Sequence, residues 1–233
     1  TPKPSSAASD VYKRQMQFNR GAHPRHKGHR DPPCPYLDKQ GLVIPRPLAF
    51  PAQALVTPRL RLVPAAVSHA ASVRTYLLDN HDYLQPWEPL RHAAFFEQYA
   101  VAERLQGMAQ RNAKGESLHL LLFGEDADEL IGVCNFNNIV RGAFQACHLG
   151  YSIAERWQGQ GLMREGLTAA IAHVFQNMKL HRIMANYRPE NTRSARVLAS
   201  LGFQREGEAR SYLQINGAWC DHVLTALINP EDH

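Results

Sequence analysis

A short glycine-containing stretch, Gln158-Gly159-Gln160-Gly161, follows a predicted β-strand and precedes a predicted helix. Two glycines at such a junction let backbone N–H groups approach and face an anion, and the start of the following helix adds a partial positive charge. The stretch therefore predicts a phosphate-binding site, although a structural glycine turn would have the same sequence. The loop does not end in Gly-Lys-Ser/Thr, which excludes a Walker P-loop. A dinucleotide-binding fingerprint would need a third glycine and a parallel βαβ frame.

The periodicity of apolar residues around this turn predicts an α+β fold. Apolar spacings of three and four residues mark helices, and alternating apolar runs bounded by turn residues mark strands. Strands are predicted over residues 60–63, 117–123, 130–139, 143–153, 182–187, 203–215 and 219–228, and helices over residues 67–80, 95–112, 162–178 and 191–201. Asn216-Gly217 favours a tight hairpin turn because both residue types tolerate positive φ. We expect a mixed, mainly antiparallel sheet flanked by helices.

Residues 1–56 differ in composition from the rest of the chain and are predicted to be a disordered, basic extension. They hold nine of the 15 prolines and nine Lys or Arg residues against three Asp or Glu residues, without apolar periodicity. Residues 1–15 also resemble translated vector sequence and are left out of the fold prediction. Residues 57–233 are near neutral, so we expect no direct role with DNA, while the basic extension leaves tethering to RNA open.

The cysteines and histidines predict neither a disulfide framework nor a metal centre. The cysteines are far apart and form no Cys-x-x-Cys pair, so we expect reduced thiols, mostly in the core: Cys34, Cys134, Cys147 and Cys220. His23, His26 and His29 lie in a stretch rich in Pro, Gly and Arg that would not fix a coordination geometry. Because the sequence has no apolar run of about 18 residues and no signal-peptide pattern, we expect a cytoplasmic protein without a membrane span.

Two motifs in sequence order resemble the GNAT superfamily of N-acetyltransferases. Its signature of Gln or Arg, two residues, Gly, one residue and Gly or Ala is matched by Gln158 and Gly161, with Met163 in place of the small residue. The family's Asn-x-x-Ala/Ser helix start is matched by Asn191 and Ser194. Within the superfamily the chain is most similar to the RimJ/RimL group through the segments Pro86-Trp87-Glu88-Pro89, Gly132-Val133-Cys134-Asn135-Phe136, His148-Leu149-Gly150-Tyr151-Ser152, His181-Arg182-Ile183-Met184-Ala185-Asn186-Tyr187 and Asp221-His222-Val223-Leu224.

The resemblance implies a GNAT-like fold, acetyl-coenzyme A (acetyl-CoA) as cosubstrate and no required metal. Main-chain groups of the strand around Leu149 and Tyr151 would hold the pantetheine and polarise the thioester carbonyl. Asn191 would contact the cofactor, and it also has the residue type of a helix N-cap. The pyrophosphate would bind at the turn and the helix start, which comprise Gln158, Gly159, Gln160, Gly161, Leu162 and Met163.

Two residues are candidates for proton transfer. Many GNAT enzymes present a tyrosine seven residues after the asparagine, but Leu198 occupies that position. The RimL-like pattern suggests Ser194 as the acid for the leaving thiolate, although a serine there could simply satisfy the helix terminus. Glu88 is the candidate base or amine anchor, because a carboxylate between two prolines and beside Trp87 would be rigid and partly desolvated. The alternative for Glu88 is a loop glutamate in an ion pair.

Four further residues attract attention, but their side chains are expected to be structural. Tyr151 and His148 are predicted to be core side chains whose orientation depends on regular alternation along their strand. The Asp221-His222 pair resembles a catalytic dyad, but adjacent residues of a strand point to opposite faces. We therefore expect no dyad at this position.

The resemblance predicts acetyl transfer from acetyl-CoA to the N-terminal α-amine of a protein. The expected acceptor is a ribosomal protein that begins with alanine, and association with the ribosome is a further expectation. Acetylation of a small-molecule amine is an alternative that the cofactor motif fits equally well. A non-catalytic module that binds acyl-coenzyme A or the ribosome is a second alternative, which the missing tyrosine keeps open.

Overall fold

A computed structural model gives the structure of residues 54–124 and 129–232. Eight strands are found within these ranges: β1 (Leu55–Val56), β2 (Leu60–Pro64), β3 (Leu118–Gly124), β4 (Leu130–Val140), β5 (Ala146–Ile153), β6 (Arg182–Met184), β7 (Gln204–Ile215) and β8 (Ala218–Ile228). They form one sheet in the order β1-β2-β3-β4-β5-β6-β8-β7. Every neighbouring pair is antiparallel except β5 and β6, which are parallel. The mixed, mainly antiparallel sheet predicted from the sequence is confirmed.

Helices lie on both faces of the sheet: α1 (Ala70–Asp79), α2 (His81–Leu84), α3 (Gln98–Lys114), α4 (Leu162–Gln176) and α5 (Thr192–Ser200). The two prolines at positions 86 and 89 prevent a regular helix there, and the segment Gln85–Trp87 forms a single 3-10 turn. Asn216 and Gly217 have φ angles of 45° and 81°, so the predicted hairpin turn between β7 and β8 is confirmed.

The core has two parts because β3 is buried on both faces. Leu118, Leu120 and Leu122 pack with α4 and α5 on one side of the sheet. Leu121 and Phe123, which alternate with this set, pack with α1 and α3 on the other side. Side chains alternate across a strand, so a nearly continuous apolar run is what a strand between two helical layers requires.

Strand β6 is shorter than predicted, and its early end leaves the second half of β5 without a partner strand on that side. The sequence predicts a strand over residues 182–187, but β6 ends at Met184. It pairs with β5 only over three residues, the last pair being His148 with Met184. Beyond that point the chain follows β8 instead, because Ala185 donates to Thr225 and Tyr187 bridges to Val223. Strands β5 and β6 therefore diverge and leave a gap in the sheet.

The described sheet begins just before the boundary predicted at Thr57. Strand β1 pairs Leu55 with Leu62 and Val56 with Arg61. The predicted disordered extension and the boundary itself stay predictions, since residues 1–53 lie outside the described residues. Among the residues that are placed, no helix has the length and apolar composition needed to cross a bilayer.

The placed cysteines are free thiols. Cys134 and Cys147 are buried and Cys220 is partly exposed, in agreement with the predicted reduced state. Cys34 and the three histidines of the extension lie outside the described residues, so the predictions made for them are not addressed by the structure.

Candidate active site

The gap between β5 and β6 opens into a cavity of about 420 Å³. Most residues predicted for the site line it: Glu88, Tyr151, Gln158, Gly159, Gly161, Leu162, Met163, Asn191 and Ser194. Two predicted residues do not. The Leu149 side chain is in the core, and Gln160 is exposed, with its side-chain amide donating to the carbonyl of Arg156. Because its side chain is buried, Leu149 could contact a ligand in the cavity only through its main chain, whereas Gln160 lies outside the cavity lining.

The backbone of β5 offers hydrogen-bonding groups to this gap. The N–H of Ala154 donates to the carbonyl of Ile131 on β4, at 2.8 Å. Because hydrogen-bonding direction alternates along an antiparallel strand, the backbone groups of Tyr151 and Ile153 point away from β4. Strand β6 has already ended there, so no strand of the described sheet pairs with these groups. An amide-containing ligand could add to β5 at this position.

The glycine turn presents the start of α4 to the same cavity. Gly159 and Gly161 have φ angles of 72° and 77°, in the left-handed region that glycine adopts without strain. Gly161 is the N-cap of α4 and has no side chain to satisfy the first N–H groups of the helix. These groups and the helix dipole make the turn suited to an anion.

Met163 replaces the small residue of the family signature without obstructing the turn. Its side chain is 6% exposed and belongs to the core. Its methyl group lies 3.4 Å from where a Cβ of Gly132 would be, so the glycine on β4 makes room for it.

Arg59, which directly precedes β2 and belongs to no motif of the sequence, supports this turn. The Arg59 guanidinium donates to the carbonyl of Gln160 at 2.9 Å and to the carboxylate of Glu165 at 2.7 Å. Glu165 also accepts from the hydroxyl of Thr57 at 2.6 Å. Residues separated by about a hundred positions thus fix the start of α4, and no local sequence pattern signals such a contact.

At the start of α5, Asn191 and Ser194 are joined as a helix cap. The Asn191 side chain accepts a hydrogen bond of 3.0 Å from the backbone N–H of Ser194, which confirms the N-cap. The Ser194 hydroxyl lies 2.8 Å from the hydroxyl of Tyr151. Tyr151 lines the cavity and also packs against the core, where its side chain was predicted to lie. Leu198, where many family members have tyrosine, is 1% exposed and belongs to the core.

Glu88 is partly buried at the wall of the cavity. Burial raises its pKa, and the nearby charges of Arg91 and His81 act in the opposite direction. Within residues 54–124 and 129–232, its carboxylate has no basic partner within 4 Å, so the ion-pair alternative is not observed. A desolvated carboxylate beside a cavity can accept a proton from a bound ligand.

The loop that carries Glu88 is held by two distant elements. The carbonyl of Pro86 accepts from the Arg188 guanidinium at 2.8 Å, and that guanidinium also lies 5.6 Å from the ring centroid of Trp87. The tip of the β7–β8 hairpin contacts the same loop through Asn216. Loop residues positioned in this way are suited to a binding role.

The other polar residues singled out in the sequence are not part of the cavity lining. His148 lies outside it, and Asp221 and His222 have separate partners. Asp221 accepts from the backbone N–H of Ser211 at 2.8 Å, and the His222 ring contacts the carbonyl of Cys220 at 3.0 Å. The expectation that these two neighbours form no dyad is confirmed.

Comparison with known proteins identifies the family. Residues 59–204 match the model of the acetyltransferase (GNAT) domain. The [ribosomal protein uS5]-alanine N-acetyltransferase of Escherichia coli K12 is 45% identical over 181 residues, which cover 78% of this chain and 93% of that protein. The solved ribosomal-protein-S5-alanine acetyltransferase of Vibrio fischeri is 38% identical, with a TM-score of 0.74 over 76% of this chain and 97% of that one. Mycobacterium smegmatis RimJ, solved with a coenzyme A disulfide, is 31% identical, with a TM-score of 0.70 over 74% and 83%.

Proposed function

The chain belongs to the GNAT acetyltransferase family, and we propose that it transfers the acetyl group of acetyl-CoA to the N-terminal α-amine of a ribosomal protein that begins with alanine. The observation that carries the proposal is the cavity at the divergence of β5 and β6, which Glu88, Tyr151 and Ser194 all line. The acceptor is proposed from the relatives, because two of them act on the alanine of ribosomal protein S5.

The lining of the cavity fits acetyl-CoA chemically. The pantetheine arm carries amides, and the backbone groups of Tyr151 and Ile153 have no strand partner in the described sheet. The pyrophosphate is an anion, and the glycine turn places the N-terminus of α4 at the cavity. Three arginines add positive charge around the same cavity: Arg164, Arg193 and Arg196. We assign the pyrophosphate contact to residues 158–163, with Gln160 contributing through its backbone.

The reaction needs a neutral amine, a polarised carbonyl and a proton for sulfur. In our proposal, the Glu88 carboxylate accepts one proton from the α-ammonium group, and the amine attacks the thioester carbon. Backbone N–H groups of β5 stabilise the oxyanion that develops. When the carbon–sulfur bond breaks, its electron pair leaves on sulfur and the Ser194 hydroxyl protonates it. The nitrogen loses its second proton to solvent, Glu88 releases its proton to solvent, and Ser194 regains a proton that solvent ultimately supplies.

The opening beside Glu88 is where the acceptor would enter. The wall is formed by Tyr83, Leu84, Trp87 and Glu88, with the β7–β8 hairpin tip contacting the loop from outside. Among these four residues, Glu88 alone carries a carboxylate, and it is the group that would contact the amine. Such an arrangement suits one cationic amine attached to a small side chain.

Release of free thiol from acetyl-CoA tests the proposal directly. The full chain is assayed with an N-terminal alanine peptide, with the same peptide blocked at its N-terminus, and with a polyamine and an aminoglycoside in parallel. We expect rapid release only with the free N-terminal peptide. Faster release with a small amine would favour the small-molecule alternative. Binding of acetyl-CoA without release under any condition would favour a non-catalytic module.

A further inference from the structure

Tyr151 lines the cavity, and its hydroxyl is a polar group that the mechanism above does not use. It lies 2.8 Å from the Ser194 hydroxyl, and either of these two groups can donate in that contact; the Ser194 carbonyl, at 3.4 Å, is a more distant acceptor for the phenol hydrogen. Burial raises the pKa of Tyr151 to about 12, with the bond to Ser194 acting against this shift and Tyr187 adding to it. The phenol therefore keeps its proton at neutral pH.

The geometry fixes Ser194 from two sides. Its backbone N–H is held by Asn191 at 3.0 Å, and its hydroxyl is held by the phenol of Tyr151. A hydroxyl group has one hydrogen to donate and two lone pairs to accept. If the phenol donates to the hydroxyl oxygen of Ser194, the hydrogen of that serine is free for another acceptor. Ser194 lines the cavity, so this acceptor can be a bound ligand.

We propose that Tyr151 is a positioning residue for the acid step and acts through Ser194. It directs the serine hydrogen at the thioester sulfur and passes its own proton to the serine oxygen as Ser194 protonates the leaving thiolate. The electron pair of the broken carbon–sulfur bond ends in the new sulfur–hydrogen bond, and the phenolate regains a proton from solvent. This inference rests on the proposed function. In it, Tyr151 on β5 takes the part of the tyrosine that many GNAT enzymes have at the position of Leu198 on α5.

A second tyrosine–serine pair provides a matched control. The hydroxyl of Tyr76 lies 2.8 Å from the hydroxyl of Ser152, which is the residue after Tyr151 on β5 and has its side chain on the opposite face of the sheet. Tyr76 is 4% exposed and does not line the cavity. Its replacement by phenylalanine removes an equivalent hydrogen bond without touching Ser194.

Steady-state kinetics with acetyl-CoA and the alanine peptide test the inference. Ser194→Ala should lower kcat by about 10²-fold, the lower range for loss of a general acid. Tyr151→Phe should lower kcat by about tenfold, as expected for loss of one hydrogen bond, with little change in the KM for acetyl-CoA. The double variant should be no slower than Ser194→Ala alone. The fold-change in kcat caused by Tyr76→Phe, whatever its size, should multiply with the fold-change caused by Ser194→Ala when the two substitutions are combined.

Two results would overturn the inference while leaving the proposed function intact. One is an unchanged kcat in Tyr151→Phe, and the other is full multiplication of the Tyr151→Phe and Ser194→Ala effects. Circular dichroism checks that the variants are folded, and the phenylalanine ring keeps the packing of Tyr151. If the wild-type chain itself acetylates no N-terminal peptide, the proposed function fails instead.

Discussion

The backbone carbonyl of Glu88 accepts a hydrogen bond of 2.9 Å from the backbone N–H of Asn216. This contact joins the loop of the candidate base to the tip of the β7–β8 hairpin. The turn depends on positive φ angles at Asn216 and Gly217. The proposed acceptor site is therefore held by a turn that is remote in the sequence.

Gly217→Val should weaken acceptor binding without affecting the cofactor. Gly217 has a φ of 81°, where a β-branched residue is strained by about 1–2 kcal/mol, so the turn should shift and release the Glu88 loop. We expect a severalfold higher KM for the peptide and an unchanged Kd for acetyl-CoA. Gly142→Val is the control, because Gly142 has a φ of 74° and no neighbour within 4 Å of an added Cβ. Equal effects of both variants on the peptide KM would contradict this role.

Gly161→Glu should abolish binding of coenzyme A while the domain stays folded. The substitution places a negative charge at the start of α4, where the proposed pyrophosphate contact lies. Gly161 has a φ of 77°, so any side chain there also strains the backbone. Gly142 has a similar φ of 74°, and Gly142→Glu is therefore the control for added charge and strain together. Titration calorimetry measures the affinity. A folded Gly161→Glu variant with wild-type affinity would refute the phosphate site.

Glu88→Gln should lower activity and raise stability at neutral pH. Burial raises the pKa of Glu88 above 4.5, against the influence of Arg91 and His81. A carboxyl with a raised folded-state pKa favours folding at low pH, and that contribution is lost as the pH rises through this pKa. Thermal unfolding at pH 7.5 should therefore show an equal or higher Tm for the variant, with the advantage shrinking toward pH 4.5. Loss of a general base should cost about 10²-fold or more in kcat.

Two outcomes would change the role of Glu88. A lower Tm of the Gln variant at pH 7.5 would mean that the carboxylate is stabilised by a favourable partner. A small loss of kcat that is recovered at high pH would mean that Glu88 anchors the amine and that solvent removes its proton.

Removal of residues 1–53 should leave a folded and active enzyme. That segment is basic and proline-rich, without the apolar periodicity that contributes to a core. Strand β1 begins at Leu55, so the deletion ends before the described sheet. Cooperative unfolding and acetylation of the alanine peptide are measured for the truncated chain. Loss of cooperative unfolding would place the domain boundary earlier in the sequence.

The parts of the fold that were predicted correctly have a local cause. Asn216 and Gly217 stand where the backbone needs positive φ, and the turn was predicted from these two residue types alone. Asn191 was also predicted from its residue type, because an asparagine side chain can accept a hydrogen bond from the first N–H groups of a helix. The apolar run of β3 reflects burial on both faces. In each case the signal lies within a few residues of the structure that it specifies.

The parts that were missed depend on contacts between distant residues. Residues 182–187 have the composition of one strand, and only pairing with β8 shows that β6 leaves β5 after Met184. The proximity of Tyr151 to Ser194 requires β5 and α5 to meet, and the support of the turn by Arg59 requires β2 to meet α4. Periodicity cannot report which elements meet.

The site of acetylation tests the central claim most directly. An α-amine with a pKa near 7.7–8.0 is about 10–20% neutral at pH 7, whereas a lysine near 10.4 is neutral only about 0.04% of the time. A peptide with a free N-terminal alanine and one internal lysine is incubated with the enzyme and acetyl-CoA at pH 7, and the product is mapped by mass spectrometry. The account predicts acetyl groups on the alanine nitrogen. Predominant labelling of the lysine would contradict it.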